Sequence, residues 1–140
     1  MTTSKPTLAD RVRRARRVYL IGNGGSHANA DHVCNDLLAC GIRAFTLDAA
    51  TLSAFANDYG WYKAFERWIG IVGEKGDLLI AFSGSGKSPN ILLACEEADR
   101  IGMDVERVFG AIAGFDMQSA EENQIWLGHE LMRSLRGDRS

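Results

Sequence analysis

The sequence lacks any apolar run near the roughly 20 residues that cross a bilayer, so nothing in it asks for a membrane span. Met1 to Pro6 is polar and has none of the apolar core of a secretory signal. Cysteine is scarce: Cys34, Cys40 and Cys95 form no Cys-x-x-Cys pair and sit in apolar-periodic stretches, so they read as reduced core residues of a cytoplasmic protein. Neither sign of charge dominates. Sixteen basic against 18 acidic residues leave a net charge of -2, which argues against a nucleic-acid face driven by charge. Repeats, low-complexity tracts and linkers are also absent, so the 140 residues read as one domain, 1–140.

What is present is an alternation of short apolar runs with helical stripes. Residues 7–17 place Leu8, Val12 and Ala15 on one side of a helix, with Arg11, Arg13, Arg14, Arg16 and Arg17 facing water. Val18–Ile21, 42–47, Leu78–Phe82 and 105–113 read as strands. Between them, 26–40 is a helix closed by Gly41, 48–60 a loop or broken helix, and 61–72 a helix. Residues 88–101 form a helix opened by Ser88 and Pro89 and ended by Gly102, and 120–135 a final one. Strands alternating with helices predict a three-layer α/β fold. Its parallel sheet has about four strands with helices on both faces, a flavodoxin-like architecture. In such sheets ligands bind beyond the carboxyl ends of the strands, at a topological switch point.

Two loops fall at such ends. Gly22-Asn23-Gly24-Gly25-Ser26 leads straight into a helix, and its glycines let backbone N–H groups approach an anionic or oxygen-rich ligand. Ser83-Gly84-Ser85-Gly86-Lys87-Ser88-Pro89-Asn90 also opens a helix, and its hydroxyls with bare amides can saturate phosphate oxygens. The plain alternatives are a simple strand-to-helix turn, a solvated Lys87, and Ser88 as an N-cap. The Walker spacing is missing. A dinucleotide site is the other reading, with Gly22-x-Gly24 and Asp48 ending the second strand. His27 replaces its third glycine, however, and the serine loop would go unexplained.

These motifs, with Asn57-Asp58-Tyr59-Gly60 and His32, resemble the sugar isomerase (SIS) domain, and within it the phosphoheptose isomerase branch, from about Val18 to Gly102. The resemblance implies that Ser83, Gly84, Ser85 and Ser88 hold a phosphate. It implies that Asn23, Gly24, Gly25 and Ser26 line the sugar, with Asn57, Asp58 and Glu121 contacting it. It further implies one zinc per subunit held by His32, Asp36, Glu121 and His129, proton exchange by Asp36 and His129, and a homo-oligomer, dimer or tetramer. The partner is then a sugar phosphate of the heptose class, with no membrane or nucleic acid. The reaction is isomerisation of sedoheptulose 7-phosphate to D-glycero-D-manno-heptose 7-phosphate; the alternative is a non-catalytic module binding a phosphosugar or a protein, of the kind that assists replication initiation. Independently of the family, His32 and Asp36 lie at i and i+4 and share one helix face.

Three departures stand out against that branch. Asp36 stands where glutamate is usual, and misplacement of a catalytic group by about 1 Å can cost ~10²-fold in rate. Glu121 stands where glutamine is usual. The N-terminal helical region and the C-terminal part are shortened. Trp126 and Met132 on the last helix are candidates for packing against another subunit.

Overall fold

Four consecutive apolar residues, Val18–Ile21, form strand β1, and every one of them is buried. The computed structural model describes residues 5–110 and 116–137. In it β1 lies parallel to β3 (Leu78–Ser83), whose six residues are also all buried, with Val18 opposite Leu78 and Ile21 opposite Ala81. The short β2 (Ala44–Thr46) and the charged β4 (Asp104–Phe109) flank them, giving the order β2-β1-β3-β4, all parallel. A parallel strand covered on both faces has no polar side to show, so its sequence runs apolar instead of alternating.

The period-2 geometry still sorts the side chains. Val18, Leu20, Leu78, Ile80 and Phe82 enter one core with Val12, Ala30, Val33, Leu37, Leu131 and Leu135. Those come from helices α1 (Leu8–Arg14), α2 (Gly25–Ala39) and α6 (Met117–Gly137). Tyr19, Ile21, Leu79 and Ala81 enter the opposite core with Phe65, Trp68, Ile69, Ile91 and Ala94, from α4 (Ala64–Val72) and α5 (Pro89–Ile101). Each fully buried large side chain, Phe82 at 1% exposure among them, contributes about 1.5–3 kcal/mol. Chain direction from β1 runs outward to β2 on one side, while β3 lies on the other. The tips of β1 and β3 therefore part at a switch point, where a crevice opens.

Several boundaries differ from the expectations above, each for a local reason. Residues 48–60 are not a loop: Asp48 accepts the Thr51 N–H (3.4 Å) and caps α3 (Ala49–Tyr59). That role answers the dinucleotide alternative for Asp48, which works as a cap. A 3-10 turn (Trp61–Lys63) precedes α4. The last helix begins at Met117 because Asp116 accepts the Ser119 N–H (2.8 Å). The fourth strand is described to Phe109, and 111–113 lie outside the described residues. The arginine cluster is not simply solvated. Arg11 grips Asp104 with two donors (2.8 and 3.0 Å) and also pairs Glu106, Arg16 pairs Glu74 (2.7 Å), and Arg13 donates to the Ser134 carbonyl (2.9 Å). The Arg11 guanidinium holds the Asp104 carboxyl below its ordinary range. The Arg11 and Arg13 bonds tie α1 to β4 and α6.

The seam between α2 and α6 is close because Gly128 lies against Val33. A Cβ at 128 would come within 2.6 Å of Val33 Cγ2, and Val33, at 1% exposure, has nowhere to go. Gly128→Ala is expected to cost about 1–3 kcal/mol by overpacking. Urea unfolding checks this: the midpoint falls while the slope m stays unchanged.

Candidate active site at the tips of the two central strands

After β1 the chain doubles back at Gly22, where a Cβ would meet the Ser26 carbonyl carbon and oxygen at 2.6 Å. Gly24, with φ +54°, is the N-cap of α2, a left-handed backbone that glycine adopts without strain. Ser26 N–H donates to the Asn23 carbonyl (2.9 Å) and Ala28 N–H to that of Gly24 (3.0 Å), so the loop passes directly into the helix.

The second loop is folded by its own hydroxyls. Ser83 Oγ accepts the Gly86 N–H (3.1 Å), and Ser85 Oγ accepts the Lys87 N–H (3.0 Å). Ser88 occupies the N-cap position of α5, yet its hydroxyl caps no N–H there. It lies 3.3 Å from Ser83 Oγ instead, leaving the start of α5 open for an anion. Pro89 at the first helical turn removes a donor that has no intrahelical partner in any case. Lys87 is exposed beside it.

One pair of side chains joins the two loops. The Asn23 amide donates to Asn90 Oδ1 (2.9 Å), and the Asn90 amide returns a bond to Asn23 Oδ1 (2.8 Å). Asn90 is 1% exposed, and its Oδ1 also accepts the Ile91 N–H (3.0 Å). Sequence reasoning gave Asn90 no role of its own. The signal was present, a wholly amide side chain on the core-facing first turn of an otherwise apolar stripe.

Helix α6 lies over both loops. A Cβ at Gly84 would fall 2.4 Å from Met117 Sδ and 3.2 Å from Ala120 Cβ. A Cβ at Gly25 would fall 2.2 Å from Glu121 Oε2, so this carboxylate rests directly on the glycine loop. Gln124, 1% exposed, donates to Ser26 Oγ (3.0 Å), and Asn29 donates to Gln124 Oε1 (2.8 Å) and to the Glu121 carbonyl (3.0 Å). Gln124 and Asn29 were not singled out in the sequence. Ser26, expected to line the sugar, spends its buried hydroxyl on Gln124. A cleft of about 360 Å³ opens beside this contact, lined by Asn29, Gln118, Glu121, Glu122 and Ile125.

Further along the same seam stand the expected proton-transfer residues. His32 Nε2 lies 3.3 Å from Asp36 Oδ2, and the His32 and His129 rings meet edge to face at 5.8 Å between centroids. Residues of two helices thus gather a carboxylate and two imidazoles. Glu121 does not join them: it lies over Gly25, seven residues or roughly 10 Å before His32 along α2. Among the described residues no group of three or more His, Cys, Asp or Glu side chains is placed to hold a metal ion. Asn57 and Asp58 sit exposed in the last turn of α3. They bond each other (3.4 Å) and, among the described residues, neither loop.

The arrangement offers an anion seat in the serine loop, a shallow depression between α2 and α6, and two imidazoles with a carboxylate down the seam. Paired loops of this kind at the switch point of a parallel sheet define an SIS-type domain. The SIS domain pattern matches residues 5–109, and the chain belongs to that family. Among its relatives is the phosphoheptose isomerase of Burkholderia pseudomallei (strain 1710b), 36% identical over 135 residues, which cover 84% of this chain and 68% of that one. Among solved structures, the phosphoheptose isomerase from Neisseria gonorrhoeae superposes with a TM-score of 0.81 at 26% identity, covering 93% of this chain and 81% of that one. The phosphoheptose isomerase from Francisella tularensis gives 0.79 at 28% identity, covering 89% and 76%.

If the amide pair sets the crevice, Asn90→Ala should cost about 2–3 kcal/mol, because it removes a buried group and leaves the Asn23 side chain without its partner, while the Ile91 N–H keeps the Ser88 carbonyl (3.1 Å). Asn23→Ala should cost a similar amount by orphaning buried Asn90. The double variant should cost less than the sum, a coupling that a double-mutant cycle in urea reads directly.

Proposed function

We propose that the chain is a phosphosugar ketose–aldose isomerase that converts sedoheptulose 7-phosphate to D-glycero-D-manno-heptose 7-phosphate. The observation that carries this reading is the serine loop. Ser83, Ser85 and Ser88 stand together at the open start of α5 with no acid in its first turn, so hydroxyls, amides and helix dipole converge on one anion-sized place. Its relatives named phosphoheptose isomerase support the same substrate class.

The sugar chain then runs from the serine loop past Asn23, Gly24 and Gly25 towards the His32–Asp36–His129 group. In the exchange, the Asp36 carboxylate takes a proton from C1 of the ketose. The electron pair of that C–H bond forms the C1–C2 double bond, and the C2 carbonyl oxygen becomes the enediol oxygen as His129 gives it a proton. Return of a proton to C2 and loss of the O1 proton regenerate the two groups and leave the aldehyde. His32, bonded to Asp36, holds that carboxylate in place. Asn57 and Asp58 are proposed to reach the sugar from α3.

Zinc, one per subunit, is the cofactor that the resemblance implies, but the residues as placed do not fit it. Glu121 lies over Gly25, away from the other three, and His32 Nε2 is turned to Asp36. No step above passes through a metal. A homo-oligomer, dimer or tetramer, is supported by α3. This helix is rich in alanine and carries Leu52 and Phe55, yet buries no residue fully, and Trp61, Tyr62 and Trp126 are 47%, 60% and 60% exposed. No helix among the described residues is long and apolar enough to cross a membrane, and we place the protein, read as one domain over 1–140, in the cytoplasm.

Conversion of sedoheptulose 7-phosphate by the purified protein tests the reading. Asp36→Asn and His129→Gln are each expected to lower kcat by about 10²–10⁴-fold. Ser83→Ala with Ser85→Ala should raise KM by at least about tenfold, since hydrogen bonds to a charged group are worth about 1.5–3 kcal/mol each. Absence of turnover, with sugar phosphate still bound and Asp36→Asn without effect, would favour a non-catalytic binding module.

A further inference from the structure

We propose that Gln124 is a positioning residue for the isomerisation: its side-chain amide locks α6 to the beginning of α2, and that lock sets the place at which His129 faces His32 and Asp36. The proposal rests on the isomerase reading above. Gln124 is 1% exposed and is the odd member of the buried face of α6, whose other buried residues are Ala120, Gly128, Leu131, Met132 and Leu135. An amide in such a face is costly unless its donors and its acceptor are met. Here Nε2 donates to Ser26 Oγ (3.0 Å), and Oε1 accepts from the Asn29 amide (2.8 Å). Ser26 and Asn29 stand at i and i+3, neighbours on one side of α2. The Asn29 amide also donates to the Glu121 carbonyl (3.0 Å), one turn before Gln124. One turn of α6 is therefore bracketed against one turn of α2.

Beyond that bracket the seam is held with less direction. Gly128 meets Val33 without a side chain of its own, and Leu131 and Leu135 enter the apolar core. Further along, Cys40 Sγ approaches Met132 Sδ (3.6 Å), a weak sulfur bond. Apolar contact fixes how near two helices lie, whereas hydrogen bonds of defined geometry fix how one is set along the other. His129 stands five residues past Gln124, roughly 7.5 Å along the helix axis. Among the described residues its side chain makes no hydrogen bond, and it meets the His32 ring edge to face. Its place is thus given by α6, and the setting of α6 by Gln124. A slip of roughly 1.5 Å, the rise of one helical residue, exceeds the displacement of about 1 Å that can cost ~10²-fold in rate. Gln124 itself acts at a remove, since its own bonds go to Ser26 and Asn29.

Steady-state kinetics, thermal melts and the nuclear Overhauser effect between the His32 and His129 rings test this together. Gln124→Leu orphans the buried Ser26 hydroxyl, so Tm is expected to fall. Its kcat is expected to fall by about tenfold or more. KM is expected to stay within about twofold, because the groups that hold the phosphate are untouched. Adding Ser26→Ala replaces both partners by apolar groups and is expected to return Tm towards the native value, while kcat stays low. The ring-to-ring cross-peak is expected in the native chain and is expected to be lost in both variants. Should Gln124→Leu alone not fold, the double variant and Asn29→Ala carry the same comparison. Recovery of kcat together with Tm in the double variant would make Gln124 a core residue and no more, and the proposal would be overturned. A cross-peak that survives in the variants, or is missing from the native chain, overturns it as well. The cross-peak needs no turnover. A native chain that shows it yet converts no sugar removes the isomerase reading, while its loss or survival in the variants still decides whether Gln124 places His129.

Discussion

The reciprocal amide bonds between Asn23 and Asn90 set the spacing on which the whole site depends. Parallel strands β1 and β3 bring two loops to the same edge of the sheet, but strand pairing ends before the loops begin. Beyond that point glycine-rich backbone has little to hold it, and its conformational freedom works against order. A buried amide pair supplies a link with direction as well as strength, since each partner both donates and accepts. With the loops fixed, the hydroxyls of the serine loop can fold inward on their own backbone. The start of α5 then stays unfilled.

The second constraint is the seam between α2 and α6. Parallel helices meeting at Gly128 and Val33 run close enough for the residues that line them to act jointly. One seam therefore carries a graded set of functions. Met117 and Ala120 cover the serine loop, Glu121 and Gln124 the glycine loop, and His129 meets His32 two turns later. Buried polar groups in the middle, Ser26 and Gln124, satisfy one another, which fixes the register of the seam as a purely apolar contact would not.

Much of this was legible in the sequence, and what was not has a common cause. The strands β1 and β3 were plain, because double-sided burial demands an unbroken apolar run. Both loops were legible as a pair, because two glycine-bearing strand-to-helix turns, one of them with three serines, fall at the ends of apolar strands. Residues 48–60 were left between a loop and a broken helix because α3 buries no residue fully, only Leu52 and Phe55 pack in part against the core, and its start is marked by a cap at Asp48. Ser26 looked like a ligand group and proved to be half of a buried pair, since its partner Gln124 lies 98 residues away in the sequence. Arg11 of α1 read as solvated for the same reason. Its acids on β4, Asp104 and Glu106, come near only when the sheet forms. The Ser26–Gln124 and Arg11–Asp104 pairings join residues more than 90 positions apart, which no local pattern reveals.

The two acids that depart from the pattern implied by the resemblance, Asp36 and Glu121, are best understood together. Asp36 is shorter than the usual glutamate, which draws its charge back towards α2 and into the reach of His32, at 3.3 Å. Glu121 adds a charge where a neutral amide is usual, and places it on the glycine loop. The first change takes reach away from the acid–base end of the seam. The second adds negative potential near its middle, where a dianionic substrate must pass. Both make the serine loop carry more of the binding, for it is the part of the crevice where hydroxyls, an exposed lysine and an open helix start all favour an anion. The crevice thus sets a helix start open to an anion beside a glycine loop that already has a carboxylate over it.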